Sequence, residues 1–314
     1  MIRLFFATDV HGSEICWKKF LNAAKFYEAQ VLVLGGDMTG KALVPISRQA
    51  DGRWKATLLQ QDFILNDERE VADMERRVAS RGYYPFRTDP DQLAEFEAAP
   101  AKVDDLFRRH MLDTLQRWMD LADQKLDGSG VRCYVCPGND DQVDTDEIVR
   151  RARRVELAEG RAIDLGDGFT MISTGWANLT PWKTFRELPE TELAEKLEAM
   201  TSLVPEMGRA VFNFHCPPYG TNLDEAPEVD EDLNVRDAGR ALIHVGSTAV
   251  RESILKHQPL LSLHGHIHEA KGLDRLGKTL AINPGSLYEQ GVLQGAVLEL
   301  DARRGIRNYA LTTG

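Results

Sequence analysis

Ile2-Arg-Leu-Phe-Phe-Ala7 is a short apolar run that leads into Asp9-Val-His11, and Val31-Leu-Val-Leu34 is a second that leads into Gly35-Gly36-Asp37. Each has the length of a strand buried on both faces. Between them Ile15, Phe20, Ala23, Ala24 and Tyr27 recur at helical spacing. Strand, helix, strand in that order implies parallel strands joined by a right-handed crossover. The pairing of apolar run and polar end recurs downstream. Residues 131–136 lead into Gly138-Asn139-Asp140-Asp141, residues 210–214 into His215, and residues 260–263 into His264-Gly265-His266-Ile267-His268. In an open parallel sheet, ligands gather at the carboxyl ends of the strands. Five segments distant in the chain therefore bring Asp, His and Asn side chains to one edge.

Such a cluster has a defined chemistry. Imidazole nitrogens with carboxylate or amide oxygens suit manganese, iron, zinc, nickel or cobalt. Asp9, His11, Asp37, Asn139, His215, His266 and His268 are too many ligands for one ion. They suit two, about 3.5–4 Å apart, with one carboxylate bridging. Asp-x-His and His-x-His put both side chains on one side of an extended segment, because alternate residues share a face. The glycines at 36, 138 and 265 permit tight turns where the ligands must converge.

The composition agrees with a folded enzyme. The 314 residues predict about two domains, or one large domain with an insertion. Apolar residues at 43% and charged residues at 28% exclude disorder, collagen and coiled coil as readings of the whole chain. A net charge of -11 argues against strong non-specific binding to nucleic acid or an anionic membrane. It leaves room for an enzyme of phosphates, since bound cations make one cleft locally positive. Four cysteines are too few for a disulfide scaffold, and Cys133 and Cys136 read as buried strand-end thiols. Residues 2–7 read as a strand and not a signal peptide, and no apolar run approaches a membrane span. The expected setting is a reducing, cytoplasmic one.

Residues 41–130 have a different texture. Asp51-Gly52 lies between two partly alternating runs, a hairpin within 43–59. Residues 66–81 and 101–126 are charged and helix-patterned; in the second, an apolar stripe includes Phe107, Met111, Leu115, Trp118, Met119 and Ala122. The segment reads as an insertion packed on the core, or else as a lid or dimer surface. Beyond it, Gly166-Asp167-Gly168 marks a hairpin, 189–202 and 247–257 are helical, and 279–283 and 292–300 are strands. Residues 217–236 form a long acidic surface loop.

In Asp9-Val-His11, Gly36-Asp37, Gly138-Asn139-Asp140-Asp141, His215, Gly265-His266-Ile267-His268 and the trailing Asn283-Pro-Gly-Ser286, the chain resembles the calcineurin-like metallophosphoesterase superfamily. The resemblance covers residues 1 to about 300 apart from 41–130. It implies an α/β four-layer sandwich, two mixed sheets face to face with helices outside. It also implies ligand roles. Asp9, His11 and His268 would hold one metal, Asn139, His215 and His266 the other, and Asp37 would bridge. A bridging hydroxide would attack phosphorus in line with the leaving oxygen. Two divalent ions per chain are expected, manganese first among Mn, Fe, Zn, Ni and Co.

One position departs from the pattern. The family places a histidine after the asparagine, to protonate the leaving alcohol; here Asp140 stands there. Adjacent cations would lower an aspartate's pKa, which opposes proton donation. His264 is a second candidate donor, although as a strand histidine it reads as buried and hydrogen-bonded. Asp141 reads as an acceptor for His11 or another ligand, or as a helix cap. The expected activity is phosphodiester hydrolysis on a small phosphorylated substrate. A phosphomonoesterase or nucleotidase of the same fold, and a non-catalytic metal-binding scaffold, are the alternatives. No membrane partner is expected, nucleic acid is disfavoured, and a homodimer through the insertion is the other expectation.

Overall fold

The computed structural model describes residues 1–230 and 232–314. Two six-stranded sheets form its centre. The first runs Gly305–Thr313, Gln294–Asp301, Ile2–Ala7, Val31–Leu34, Arg132–Val135, Val155–Leu157. The second runs Gly272–Leu276, Thr279–Asn283, Leu261–Leu263, Ala210–Phe214, Phe169–Thr174, Ala162–Gly166. In the second sheet neighbours pair in parallel in the middle and antiparallel at both edges; in the first the antiparallel pairs lie on the Gly305–Thr313 side, and the strands from Ile2–Ala7 to the Val155–Leu157 edge are parallel. Parallel strands need both faces covered, which is why these strands read as continuous apolar runs.

The pleat divides each strand between two cores. Leu4 and Phe6 point into the space between the sheets, with Val31, Val33, Met171, Val211, Leu261 and Ile282. Phe5 and Ala7 point the other way, with Leu32, Leu34 and the helix residues Trp17 and Phe20. On the far side Phe212 and Phe214 pack with Leu193, Leu197, Val250 and Ile254 of helices Glu190–Thr201 and Thr248–His257. Helix, sheet, sheet and helix are the four layers. The edge strand Gly305–Thr313 lies beyond the last run read in the sequence. It pairs antiparallel with Gln294–Asp301 and is largely exposed.

The inserted segment opens with a four-stranded sheet in the order Gln61–Leu65, Trp54–Leu58, Ala42–Arg48, Tyr83–Thr88, backed by helix Glu68–Ala79. It has its own small core, Val44, Ile46, Leu58, Val71, Met74 and Val78. The helix Pro100–Leu126 belongs to the main body from about Met111 onward. Leu115, Trp118, Met119 and Ala122 pack with helix Glu14–Phe26, and Trp118 stacks on Trp17 with ring centroids 5.1 Å apart. That half of the helix is the crossover between Val31–Leu34 and Arg132–Val135. His110 packs against Phe86, ring centroids 6.2 Å apart. Among the described residues, no helix is long and apolar enough to cross a membrane.

Candidate metal centre

The loops after five parallel strands meet at one edge of the sandwich, and the backbone there is unusual. Asp9, His11, Asp37 and His266 all have positive φ, at 52°, 38°, 48° and 68°. Non-glycine residues rarely adopt this region, and it concentrates at functional sites. Glycine is required beside them. Gly36 has φ 148°, and a Cβ there would run into the His215 ring; a Cβ on Gly138 would run into the Asp37 carboxylate.

The seven expected ligands converge. His11 Nε2 lies 3.0 Å from His268 Nε2, and His268 Nε2 lies 3.3 Å from Asp9 Oδ1. On the other side Asn139 Oδ1 lies 3.1 Å from His215 Nε2 and 2.7 Å from His266 Nδ1. Asp37 Oδ2 faces both groups, 3.6 Å from His11 Nε2 and 3.4 Å from His215 Nε2. Asp9, His11 and His268 form one group that could hold a cation, and Asp9, Asp37 and His215 another.

The partners of these side chains fix which atoms face inward. His215 Nδ1 lies 3.2 Å from the Gly35 carbonyl, so Nδ1 carries a hydrogen and Nε2 faces Asn139 Oδ1. Asn139 Nδ2 donates to Thr184 Oγ1 at 2.9 Å, which turns its carbonyl oxygen toward the histidines. A cation shared by His215 Nε2 and Asn139 Oδ1 would replace the proton that joins them across 3.1 Å when the ring is charged. Thr8 Oγ1 and the His266 amide donate to the Asp9 carboxylate, and Ser286 Oγ donates to the Asp9 carbonyl at 2.6 Å. Asn283 ties down the His266–His268 turn, donating to the Gly265 and Ile267 carbonyls.

The electrostatics keep two carboxylates ionised and able to hold a cation. Burial pushes the Asp37 carboxyl up, but His215, His11 and Lys41 outweigh it and hold it well below the usual range. Burial likewise works against Asp9, and the His215 and His268 rings hold it ionised. The two carboxylates in turn overcome burial at His215 and raise its pKa to about 9. Protonated His215 offsets negative charge that a bound divalent ion would offset instead. Nitrogen and oxygen donors, buried carboxylates and inward lone pairs fit first-row divalent ions.

The remaining sequence candidates fall differently. Asp140 is at the cleft, 3.0 Å from Lys41 Nζ and 3.8 Å from His11 Nδ1, which has no hydrogen-bond partner among the described residues. Burial and then Asp37 raise its pKa to about 6, against the opposing pull of Lys41. His264 is fully buried, with Nδ1 2.8 Å from the Phe214 carbonyl and Nε2 2.8 Å from Ser262 Oγ. Both ring nitrogens are spent inside the sheet. Asp141 corrects the sequence reading, for it neither holds a ligand nor caps a helix. It accepts from the Met38, Thr39 and Gly138 amides and from Thr39 Oγ1, stapling the Asp37 loop to the Asn139 loop. Arg186 points inward and pairs with Asp146 at 2.6 Å. Of the acidic loop 217–236, all but Glu231 lies within the described residues.

Two residues at the site escaped sequence reasoning. Lys41 looked like the first residue of the insertion. Tyr288 packs its ring on His11 and His268, centroids 4.7 and 5.8 Å away. Gly40-Lys41, just past the bridging aspartate, was the available signal for the first; the second had none.

No protein-family model matches the sequence. The uncharacterized protein MJ1162 of Methanocaldococcus jannaschii is 29% identical over 150 residues, 47% of this chain and 61% of that protein. The chain thus spans about three fifths of that relative's length. One solved structure superposes over 99% of both chains with a TM-score of 0.60 and 17% identity. The protein TT1561 of Thermus thermophilus superposes over 100% of this chain and 98% of its own, with a TM-score of 0.54 and 14% identity. At these identities the likeness is one of fold. The fold is a two-sheet sandwich, and the motifs on which the sequence resembles the calcineurin-like metallophosphoesterase superfamily stand in order at its strand ends.

Proposed function

We propose that the chain is a metal-dependent phosphoesterase with two divalent ions, acting on phosphodiesters. One observation carries the reading: Asp37 Oδ2 lies between His11 Nε2 and His215 Nε2, at 3.6 and 3.4 Å, with further ligand atoms behind each. Asp9, His11 and His268 would hold one ion, Asn139, His215 and His266 the other, and Asp37 both. When bound, the ions neutralise phosphate oxygens and acidify an attacking water, so no covalent protein nucleophile is needed. Manganese is the first candidate, followed by iron, zinc, nickel and cobalt. The chain's own residues orient the ester. Lys41 offers a cation to a phosphate oxygen, held in place by Asp140. Proton delivery to the leaving oxygen falls to water, because His264 is spent in the sheet and cations beside Asp140 keep it ionised.

The test is hydrolysis of bis(p-nitrophenyl) phosphate beside p-nitrophenyl phosphate by metal-stripped protein refilled with manganese. Metal-dependent turnover that favours the diester and disappears in Asp37→Ala supports the proposal. Preference for the monoester makes the protein a phosphomonoesterase of the same fold. Two bound ions without turnover of either ester would overturn the enzymatic reading in favour of a binding scaffold.

A further inference from the structure

A cleft of about 960 Å³ opens from the ligand cluster, and its two ends are unlike. At one end lie the ligands, Asp140 and Lys41, the one Lys or Arg side chain that lines the cleft among the described residues. The rest of the wall is mostly apolar, with Asn178, Thr180, Thr184, His244 and Glu269 as its polar side chains. Leu179, Trp182 and Phe185 are 62%, 59% and 55% exposed, and Val235 and Ile243 on other segments are 54% and 43% exposed. Large apolar side chains left in water around one cleft mark a binding surface.

The loop that carries the first three is held firmly to the site. The Phe185 and Arg186 amides donate to the Asn139 carbonyl at 3.0 and 3.2 Å, and Thr184 Oγ1 accepts from the Asn139 side chain. Glu187 accepts from the amides and hydroxyls of both Thr180 and Thr184. These bonds occupy the Thr180 and Thr184 side chains of the wall. Asn178 is likewise spent, donating to the Val245 carbonyl and accepting from the Cys216 thiol, and His244 Nδ1 is bonded to Asp224. Among the described residues, the Glu269 carboxylate and His244 Nε2 are side-chain groups of the wall left without a bond, few for reading a sugar or the edge of a base.

We propose that this wall receives the hydrocarbon chain of an amphiphilic phosphoester. The phosphate sits at the ligand cluster and Lys41, and an alkyl or acyl chain lies along Leu179, Trp182, Phe185, Val235 and Ile243. The phosphate end of this inference rests on the phosphoesterase reading; the hydrocarbon end does not.

Calorimetric titration with alkyl phosphonates from ethyl to octyl, kept below their micellar concentrations, tests it on manganese-loaded protein. The carbon–phosphorus bond is not cleaved, so the readout is independent of turnover. Affinity is expected to rise with chain length, by up to about fourfold per fully buried methylene. Trp182→Ser combined with Phe185→Ser should flatten that slope. Thymidine monophosphate serves as the polar competitor. A rising slope in a protein that hydrolyses no ester would sink the phosphoesterase reading and leave the hydrocarbon site standing. Affinity independent of chain length, or tighter binding of thymidine monophosphate than of octyl phosphonate, would overturn the hydrocarbon site whether or not esters are hydrolysed.

Discussion

The Nε2 atoms of His11 and His268 lie 3.0 Å apart, although 257 residues separate them in the chain. Two nitrogens each about 2.1 Å from one ion, at right angles, sit about 3.0 Å apart. The pair is spaced for a shared cation, with Asp9 3.3 Å from His268 on the same side. A ligand that binds only the folded state stabilises it by about 2.7 kcal/mol at about a hundred times its Kd. Manganese should therefore raise the melting temperature of stripped protein by several degrees. His268→Ala should lower the metal content by one of two ions per chain, read by elemental analysis. An unchanged metal content in that variant would remove His268 from the ligand set.

Asp141 is fully buried and accepts four hydrogen bonds from the loops that carry Asp37 and Asn139. Removing the carboxylate strands buried donors, each at about 1–3 kcal/mol. Asp141→Ala should lose at least about 3 kcal/mol in urea unfolding and also weaken metal binding, because the two loops are no longer tied together. Asp141→Asn keeps the shape but turns an amide group toward donors, so it should lie between. If Asp141→Ala unfolds like the wild type, the staple is not what holds these loops.

Asp140 occupies the position where the resembling family has a histidine, and it is paired with Lys41 at 3.0 Å. Without a proton donor, turnover should fall steeply as the leaving group becomes more basic. Asp140→His should leave p-nitrophenyl diesters within about threefold of wild type, since that leaving group needs little help. It should speed esters of ordinary alcohols by about a hundredfold, the low end of general acid catalysis. Measuring kcat/KM across leaving groups reads this as a change of slope. A uniform change across all leaving groups would mean that position 140 acts through charge and not through a proton.

The cluster of converging side chains was legible because each member follows a strand buried on both faces, and such strands read as unbroken apolar runs ending in polar residues. Val31–Leu34 before Gly35-Gly36-Asp37 is the plainest case. The edge strand Gly305–Thr313 was not legible, because its exposed residues leave no apolar run to see. Lys41 and Asp141 were unreadable for another reason. Their roles depend on the paths of two loops in space, which spacing along the chain does not encode. The apolar stripe of 101–126 announced a buried face but not its partner.

That partner is helix Glu14–Phe26. Trp118 stacks on Trp17 at an interplanar angle of 4°, and Trp17 Nε1 donates to the Trp118 carbonyl at 3.1 Å. Both side chains are buried within the chain, at 3% and 0% exposure. Trp118→Ala should then cost about 3–5 kcal/mol of stability, the range for a large core aromatic. Its oligomeric state by sedimentation should match the wild type. A variant of normal stability that changes its association instead would return this stripe to an intermolecular role.

His264 supplies the pH dependence. Burial lowers its pKa from 6.5 to about 4, opposed only in part by the Phe214 and Cys216 carbonyls. Between those values the unfolded chain binds a proton that the folded ring refuses, so acid favours unfolding. This contribution is absent above pH 6.5 and reaches about 3 kcal/mol of lost stability near pH 4. Acid unfolding also reflects the other groups that change protonation when the chain unfolds, so the informative quantity is the difference between wild type and His264→Gln. The variant will be less stable at neutral pH, having lost the bond to Ser262. Its stability should nevertheless fall less steeply than the wild type's between pH 6.5 and 4. Parallel curves would mean that His264 takes up its proton inside the folded sheet, and that its burial does not hold it neutral.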